Sequence, residues 1–209
     1  MTHDPAFAAK IFTDATAEPI SLVDARTHLR VTPYLGSLPT LTHPDDALIR
    51  ALLSASREYC ENFTGLSIAD KVYEQAGTSF PYGAGPLELL HPPLISVVSV
   101  VHGATTVPLA DVLVQDWTSP QAIYLASDWP TFDATPGAVR VRFRAGYAAF
   151  DAAPAGPVRP LPFVIRAAIL LTLGHLYENR ENTTTENLKV LPLGVDALLR
   201  PLRVRLGLA

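Results

Sequence analysis

VRVRFRAGY, the sequence of residues Val139–Tyr147, carries the clearest pattern in this chain of 209 residues. Its apolar residues alternate with three arginines, and successive side chains of a strand point to opposite faces of a sheet. The pattern therefore predicts a strand with one apolar, buried face. The other face is predicted to carry a row of guanidinium groups, which we call the arginine row: Arg140, Arg142 and Arg144.

Between Leu66 and this strand, the sequence consists of short apolar runs separated by Gly, Pro and Asp residues that are typical of turns. Many of the 19 prolines of the chain fall between such runs, where they separate elements. The region is therefore predicted to be antiparallel and rich in strands. The candidate strands are Lys71–Ala76, Leu87–Leu90, Ile95–His102, Val112–Gln115, Ala122–Leu125 and Val139–Tyr147.

Two helices are predicted before the strands. Ser21 can cap the first, with Asp24 three residues further on in position to reach back, and this helix is expected to extend to Arg30. Apolar residues at helical spacing predict a second helix that starts at Pro44 and stops at Thr64-Gly65. Its charged residues are predicted to lie largely off the apolar stripe: Arg50, Arg57, Glu58 and Glu61.

Two further helices are predicted after the strands. The one that begins after Pro162 is apolar nearly all round, so we expect it to be central. The tail, Leu191 to Ala209, has apolar residues at helical spacing, and Pro201 among them predicts a kink or two short helices.

This order of elements predicts an α+β fold and not an alternating βαβ fold. Because the helices flank the strands in sequence, we expect a small helical bundle with an inserted antiparallel β-rich subdomain. Residues 1–20 show little periodicity and are predicted to be an N-terminal arm. The other expected units are a helical core at 21–65 and 160–190, a β-rich subdomain at 66–150 and a C-terminal docking segment at 191–209.

The sequence contains few indications of where in the cell the protein is located. Met1–Asp4 lacks a basic segment followed by an apolar run, so no secretory signal is expected. The most apolar stretch is interrupted by Arg166 and His175 and is shorter than a membrane span, so no membrane partner is expected. The single Cys60 lies in a helical pattern, which predicts a buried, unreactive thiol.

No motif for phosphate binding, dinucleotide binding, serine hydrolysis or zinc proteolysis is present. His175 and Glu178 lie three residues apart on a helix, but a zinc site needs further donors, so a polar cluster at a helix end is the favoured interpretation. Asp24 and His28 are similarly explained as a pair on a helix surface. No catalytic residue, metal or cofactor is therefore expected.

The formal net charge of −4 hides an asymmetry. Residues 1–138 have a balance of −9 and residues 139–209 a balance of +5. Such a division suits a head-to-tail ring in which the acidic part of one copy faces the basic part of the next. The alternative, of equal weight, is a fold that brings the acidic and basic residues together within one copy. The acids expected at a subunit interface are Asp45, Asp46, Glu58 and Glu61.

The sequence allows more than one interpretation of two predicted surfaces. The arginine row could line a DNA path or face another subunit, or it could pair with acids on a solvated sheet surface. The tail could dock into a groove on another protein, or it could pack back on the bundle. The residues expected to dock are Val195, Leu198, Leu199, Arg200, Leu202, Arg203, Arg205 and Leu206.

Several stretches together resemble the head–tail connector (adaptor) proteins of tailed phages, including those of gene transfer agents. The resemblance covers about Ser21 to Arg203, nearly the whole chain. The stretches that carry it are Ser21–Val31, Asp45–Ile49, Ala55–Glu61 with Thr64-Gly65, Pro92–Val97, Phe143–Tyr147, Pro162–Ile169, Gly174–Glu181, and Leu191–Val195 with Leu198-Leu199 and Pro201.

The resemblance implies a structural protein whose helical core forms a ring, commonly of twelve copies, in the neck of a virion or phage-like particle. It implies a portal protein above, a tail-completion or stopper protein below, and DNA passing through the channel without sequence-specific binding. Before assembly the protein is expected in the cytoplasm of the producing cell. The tail is a plausible portal-docking element in such a ring.

Two other function classes compete with this one. A DNA-binding packaging or regulatory factor would use the arginine row and would bind duplex DNA with a steep dependence on salt. A small hydrolase would use His175 with Glu178 or Asp24.

Overall fold

A computed structural model describes residues 7–31, 42–81, 85–116, 121–127, 129, 135–150, 158–179 and 193–204. These ranges contain two antiparallel sheets and four helices, with a short 3₁₀ turn at Leu109–Asp111 and another at Arg200–Leu202. In chain order the elements are β1 (Ala8–Thr13), α1 (Leu22–Leu29), α2 (Asp46–Thr64), β2 (Lys71–Gly77), β3 (Leu87–Glu88), β4 (Leu94–His102), β5 (Thr105–Val107), β6 (Val112–Gln115), β7 (Ala122–Leu125), β8 (Val139–Ala145), α3 (Phe163–Glu178) and α4 (Leu193–Leu199).

The helix ends agree closely with the sequence signals, although α2 begins at Asp46, two residues after the predicted start at Pro44. The backbone N–H of Asp24 donates to the Ser21 hydroxyl over 2.9 Å, which caps α1. Gly65 has a φ of 76°, a left-handed conformation that ends α2. The tail forms α4 followed by a 3₁₀ turn that contains Pro201, in agreement with the predicted pair of short helices.

All four helices contribute to one apolar core. Ile20 and side chains of α1, α2, α3 and α4 form a single cluster from which water is excluded. Burial of such side chains is the main term that holds the bundle together. Its fully buried members include Ala25, Ile49, Cys60, Ile165, Ile169, Leu173, Val195 and Leu199.

The β-rich part consists of a five-stranded sheet of order β1-β2-β8-β4-β5 and a three-stranded sheet of order β3-β7-β6. β8 lies in the middle of the larger sheet, between β2 and β4. Its alternation is confirmed: Val139, Val141 and Phe143 are fully buried, in a second cluster that also contains Leu87 and Ile123 of the smaller sheet. The α+β fold is therefore confirmed, with the helices on either side of the strands in sequence.

β8 ends at Ala145, two residues before the predicted end at Tyr147. Gly146 has a φ of 134°, and a Cβ at this position would lie 2.2 Å from the carbonyl oxygen of Ala69. Only glycine fits this close approach of two backbone segments. Tyr147 instead forms an isolated parallel bridge with Arg159, beyond the sheet.

Two strands were not predicted from the sequence. Residues 1–20 were expected to be an arm without an element, yet β1 pairs antiparallel with β2 at the edge of the larger sheet. Five of its six residues are exposed, so the strand has no buried face to produce an alternating pattern. β5 pairs with only three residues of β4, which is too short for a periodic signal.

α3 is central, as predicted, because it packs against α1, α2 and α4. Its outer side nevertheless lies on the surface, where Phe163 is 87% exposed and Val164 and Leu171 are also exposed. One prediction about the bundle was wrong. Arg57 and Glu61 do not lie off the buried face of α2, because both have charged partners inside the molecule. No helix among the described residues is long and apolar enough to cross a membrane.

Candidate functional site: assembly surfaces

The arginine row lies on the outer face of the five-stranded sheet, opposite the core. The strand pairing places Arg142 beside Glu74 of β2, and Arg142 Nε donates to Glu74 Oε2 over 2.7 Å. Lys10 of β1 reaches the same carboxylate at 3.0 Å, and the Arg142 guanidinium lies 3.9 Å from the centre of the Phe12 ring. Hydrogen bonds from Arg142 and then Lys10 hold the pKa of Glu74 below its ordinary value.

The remaining two arginines differ from each other. Arg144 Nε donates to Asp70 Oδ1 over 2.7 Å, and this bond raises the pKa of the Arg144 guanidinium. Arg140 is exposed, and none of the ion pairs formed by described residues involves it. The arginine row thus pairs largely with acids of its own sheet, which favours the interpretation as a paired, solvated surface.

Two of the four acids expected at a subunit interface are buried inside the subunit. Asp46 accepts from Arg26 Nε over 2.7 Å and from the backbone N–H of His43 over 2.9 Å. The hydrogen bond from Arg26 lowers the pKa of Asp46, although burial opposes the charged form. Asp46 therefore holds α1 against the start of α2, and the expectation that it faces a neighbouring copy is wrong for this reason.

Glu61 is the centre of a buried charge cluster that the sequence did not reveal. Its Oε2 accepts from Arg57 and from Lys71, each over 2.7 Å. Its Oε1 accepts the backbone N–H groups of Ile68 and Ala69. All acceptor sites of Glu61 thus serve the chain itself, so the expectation that it lies at a subunit interface is also wrong.

Glu18 completes this group, which we call the junction cluster: Glu18, Arg57, Glu61 and Lys71. Glu18 accepts from Arg57 Nε over 2.9 Å and from the Ser54 hydroxyl over 2.7 Å. Burial opposes the charge of Arg57, but the carboxylates of Glu61 and Glu18 outweigh it and raise the pKa of Arg57. The cluster joins α2 of the bundle to β2 of the sheet, so it fixes the two parts of the fold to each other.

The other two acids remain accessible. The side chain of Glu58 is 61% exposed, and its one ion pair with a described residue is a long contact of 3.5 Å to Arg57. Asp45 is half-buried and accepts from the Tyr177 hydroxyl over 2.6 Å. Of the acids that the sequence singled out, Glu58 is thus the best placed to face another molecule.

The tail packs on the bundle with its apolar residues. Val195 and Leu199 are fully buried, and Tyr59 donates from its hydroxyl to Asp196 over 3.2 Å. The backbone N–H of Val204 donates to the Thr64 carbonyl over 2.7 Å. Val195 and Leu199 are therefore not available for docking in this conformation. Leu198 and Leu202 are half-buried, Arg200 and Arg203 are exposed, and Arg205 and Leu206 lie outside the described residues.

The residues considered for catalysis show no catalytic arrangement. Burial raises the pKa of the Cys60 thiol to about 12, so it stays protonated at neutral pH. Asp24 pairs with Arg166 over 2.9 Å and not with His28, and His175 lies near the Asn179 amide. Within the described ranges, no group of three or more His, Cys, Asp or Glu residues could hold a metal ion.

No protein-family model matches the sequence, and no curated protein matches it. Solved structures do match, over almost the full length of both chains. A chain from the virion of a native gene transfer agent (GTA) particle is 22% identical, with a TM-score of 0.71, and the match covers 96% of this chain and 97% of that one.

Two structures of particle necks give the same result. A chain from the neck of an empty GTA particle computed with C6 symmetry is 21% identical, with a TM-score of 0.72 and coverage of 97% and 98%. A chain from the neck of a native GTA particle computed with C12 symmetry is 21% identical, with a TM-score of 0.70 and the same coverage. This chain therefore shares its complete fold with a chain of GTA necks.

Proposed function

We propose that this protein is a structural head–tail connector, a ring-forming adaptor in the neck of a phage-like particle. The observation that carries the proposal is the match to chains of GTA necks over 96–97% of this chain and 97–98% of theirs. The match covers nearly all of both chains. Such a full-length match is expected of proteins that occupy the same position in related assemblies. Fold alone does not fix function, so the proposal needs its own test.

In this proposal about twelve copies form a ring beneath the portal, join the capsid to the tail and surround the DNA channel. The portal and a tail-completion protein are the partners above and below. One feature of the surface suits a channel through which DNA must move. The arginine row is largely neutralised by Glu74 and Asp70, and each phosphate gripped would add affinity that slows passage.

The exposed part of the tail is the proposed portal-docking surface. Because Val195 and Leu199 belong to the bundle core, the docking residues are reduced to Leu198, Arg200, Leu202 and Arg203 among those described. Arg203 lies 5.9 Å over the Phe63 ring, which helps to hold the tail in place. Asp45 and Glu58 remain as proposed interface acids.

The test is mass photometry of the chain alone and mixed with the portal of its own particle. We expect a complex of portal mass plus about twelve subunits, because a ring template presents one site per portal subunit. Arg200→Glu should abolish the complex while the fold is retained, because this side chain is exposed. Arg140→Glu, exposed on the sheet and outside the tail, is the control. A folded wild-type chain that never joins the portal would overturn the proposal.

A DNA-binding factor is the alternative function, and the geometry gives it less support. Arg140 is the member of the arginine row that no described carboxylate neutralises by an ion pair. We therefore expect weak duplex binding with a salt slope of about −1, in accordance with one phosphate contact. The protein could instead bind duplex DNA tightly, with a steep dependence on salt, and lose this binding when all three arginines are replaced by alanine. That result would make DNA binding the leading proposed function.

A further inference from the structure

The outer face of α3 is apolar, and none of the described segments packs over it. Phe163 is 87% exposed, Val164 42% and Leu171 41%. Positions 163, 164, 167 and 171 lie on one side of a helix, opposite the buried Ile165, Ile169 and Leu173. Ala167 in the middle of this face is exposed as well. A continuous apolar face on a central helix is the kind of surface that another molecule covers.

α2 carries a second exposed face of a different shape. Ala47, Ala51 and Ala55 lie along it at intervals of four residues, with Leu48 beside them. It is shallow and weakly apolar, whereas the α3 face projects a phenylalanine and a leucine. Residues 47–55 and 163–171 each span about 12 Å of helix, so the two faces match in length.

Charges at the ends of the two faces are complementary. Glu58 lies on the exposed side of α2 just beyond Ala55, and its carboxylate is largely free of intramolecular contact. Arg166 and Arg159 lie near the beginning of α3, and both side chains are partly exposed. Among the described residues, Arg166 pairs with Asp24 and Arg159 with Asp116. An antiparallel arrangement of the two faces would bring Glu58 towards these guanidinium groups.

We propose that the outer face of α3 in one copy packs antiparallel on the outer face of α2 in the next copy. This inference rests on the proposed function, because a ring needs two different, complementary faces on each subunit. Large side chains of one helix inserting between small ones of another is the ordinary geometry of helix packing. The two faces are on different helices, so the contact is heterologous and can close a ring.

The first test uses cysteine cross-linking between two single variants, Ala167→Cys and Ala51→Cys, mixed in equal amounts under mild oxidation. Packed helices lie about 8–10 Å apart, so small residues that face each other come within reach of a disulfide. The native Cys60 is fully buried and does not compete. The matched control mixes Ala167→Cys with Val23→Cys, since Val23 is 67% exposed on α1 and belongs to neither face.

We expect the Ala167–Ala51 disulfide dimer to form about tenfold faster than the control pair, because docking raises the effective concentration of the two thiols. A variant that carries both cysteines should give a ladder of higher oligomers, as a heterologous contact requires. Equal rates for the two pairs, with and without portal, would overturn the inference.

A second variant separates this interface from the portal contact. Phe163→Glu should fold normally, because the side chain is exposed, and should remove the preference for the Ala167–Ala51 pair. Val23→Glu should leave that preference unchanged. If the wild-type chain loads on the portal yet Ala167–Ala51 linking stays at the control rate, the inference fails and the proposed function stands. If linking is specific but no portal complex forms, the inference stands and the portal role fails.

Discussion

The junction cluster and the arginine row contain the same kinds of side chain but do different things. In the junction cluster, Arg57 and Lys71 share the Glu61 carboxylate, and all three side chains are at least 90% buried. In the arginine row, Arg142 and Arg144 contact Glu74 and Asp70, and their side chains are 38% and 45% exposed. The difference follows from burial. A buried charge that loses its partner is strongly destabilising, whereas an exposed charge is screened by water and salt, so the loss of its partner costs little.

The largest expected effect comes from breaking the junction cluster. Glu61→Gln leaves Arg57 and Lys71 buried without their shared negative charge, so the free energy of unfolding should fall by about 3–5 kcal/mol. Urea denaturation monitored by tryptophan fluorescence and circular dichroism measures it. Glu58→Gln, on the same helix but exposed, is the matched control and should stay within about 0.5 kcal/mol of wild type. Equal stability of the two variants would refute the central role of Glu61.

Asp46 extends the comparison to a second buried pair and adds a dependence on pH. Its pKa is lowered in the folded protein, so the unfolded state binds a proton first as the pH falls. The stability from Asp46 is therefore complete above its unfolded pKa, about 4, and is lost progressively as the pH falls from there through the lower pKa of the folded protein. Asp46→Asn should cost about 2 kcal/mol at pH 7.

The difference between Asp46→Asn and the wild type should shrink as the pH is lowered from 5 to 3, because Asp46 of the unfolded wild type then binds a proton more readily than Asp46 of the folded protein. Urea denaturation at each pH measures this convergence. A difference that stays constant over this interval would show that the Arg26–Asp46 contact does not depend on the carboxylate charge.

The sequence predicts most of the helical part because local signals agree with the packing there. Ser21 caps α1, Gly65 ends α2 and Pro201 divides the tail, and each acts through its own backbone geometry. The central strand β8 is equally clear, since one face is buried and the other is charged.

The missed features depend on contacts between distant residues. β1 exists because β2 offers it an edge, not because of its own pattern. Glu18 and Glu61 meet only when the fold brings residues 43 positions apart to the same guanidinium, that of Arg57. An acidic residue in a helical pattern is by default assigned to the surface, so Asp46 and Glu61 were assigned to an interface.

The exposed face of α3 was missed for a related reason. A helix that is apolar nearly all round predicts a central position, but periodicity does not show whether its last face is covered by the same chain or by another molecule. Apolar residues that remain exposed in the subunit, such as Phe163, are the informative exception.

The smallest expected effect concerns the arginine row and shows how it differs from the junction cluster. Arg142→Ala removes a partly exposed partner of Glu74, which keeps Lys10, so the loss should be about 0.5–1 kcal/mol. Arg140→Ala should cost less still. In 1 M salt the loss caused by Arg142→Ala should nearly vanish, because the screening length falls to about 3 Å. The loss caused by Glu61→Gln should persist in the same salt, since water and ions do not reach that carboxylate. If both losses disappeared together, burial would not be what separates the two charge groups.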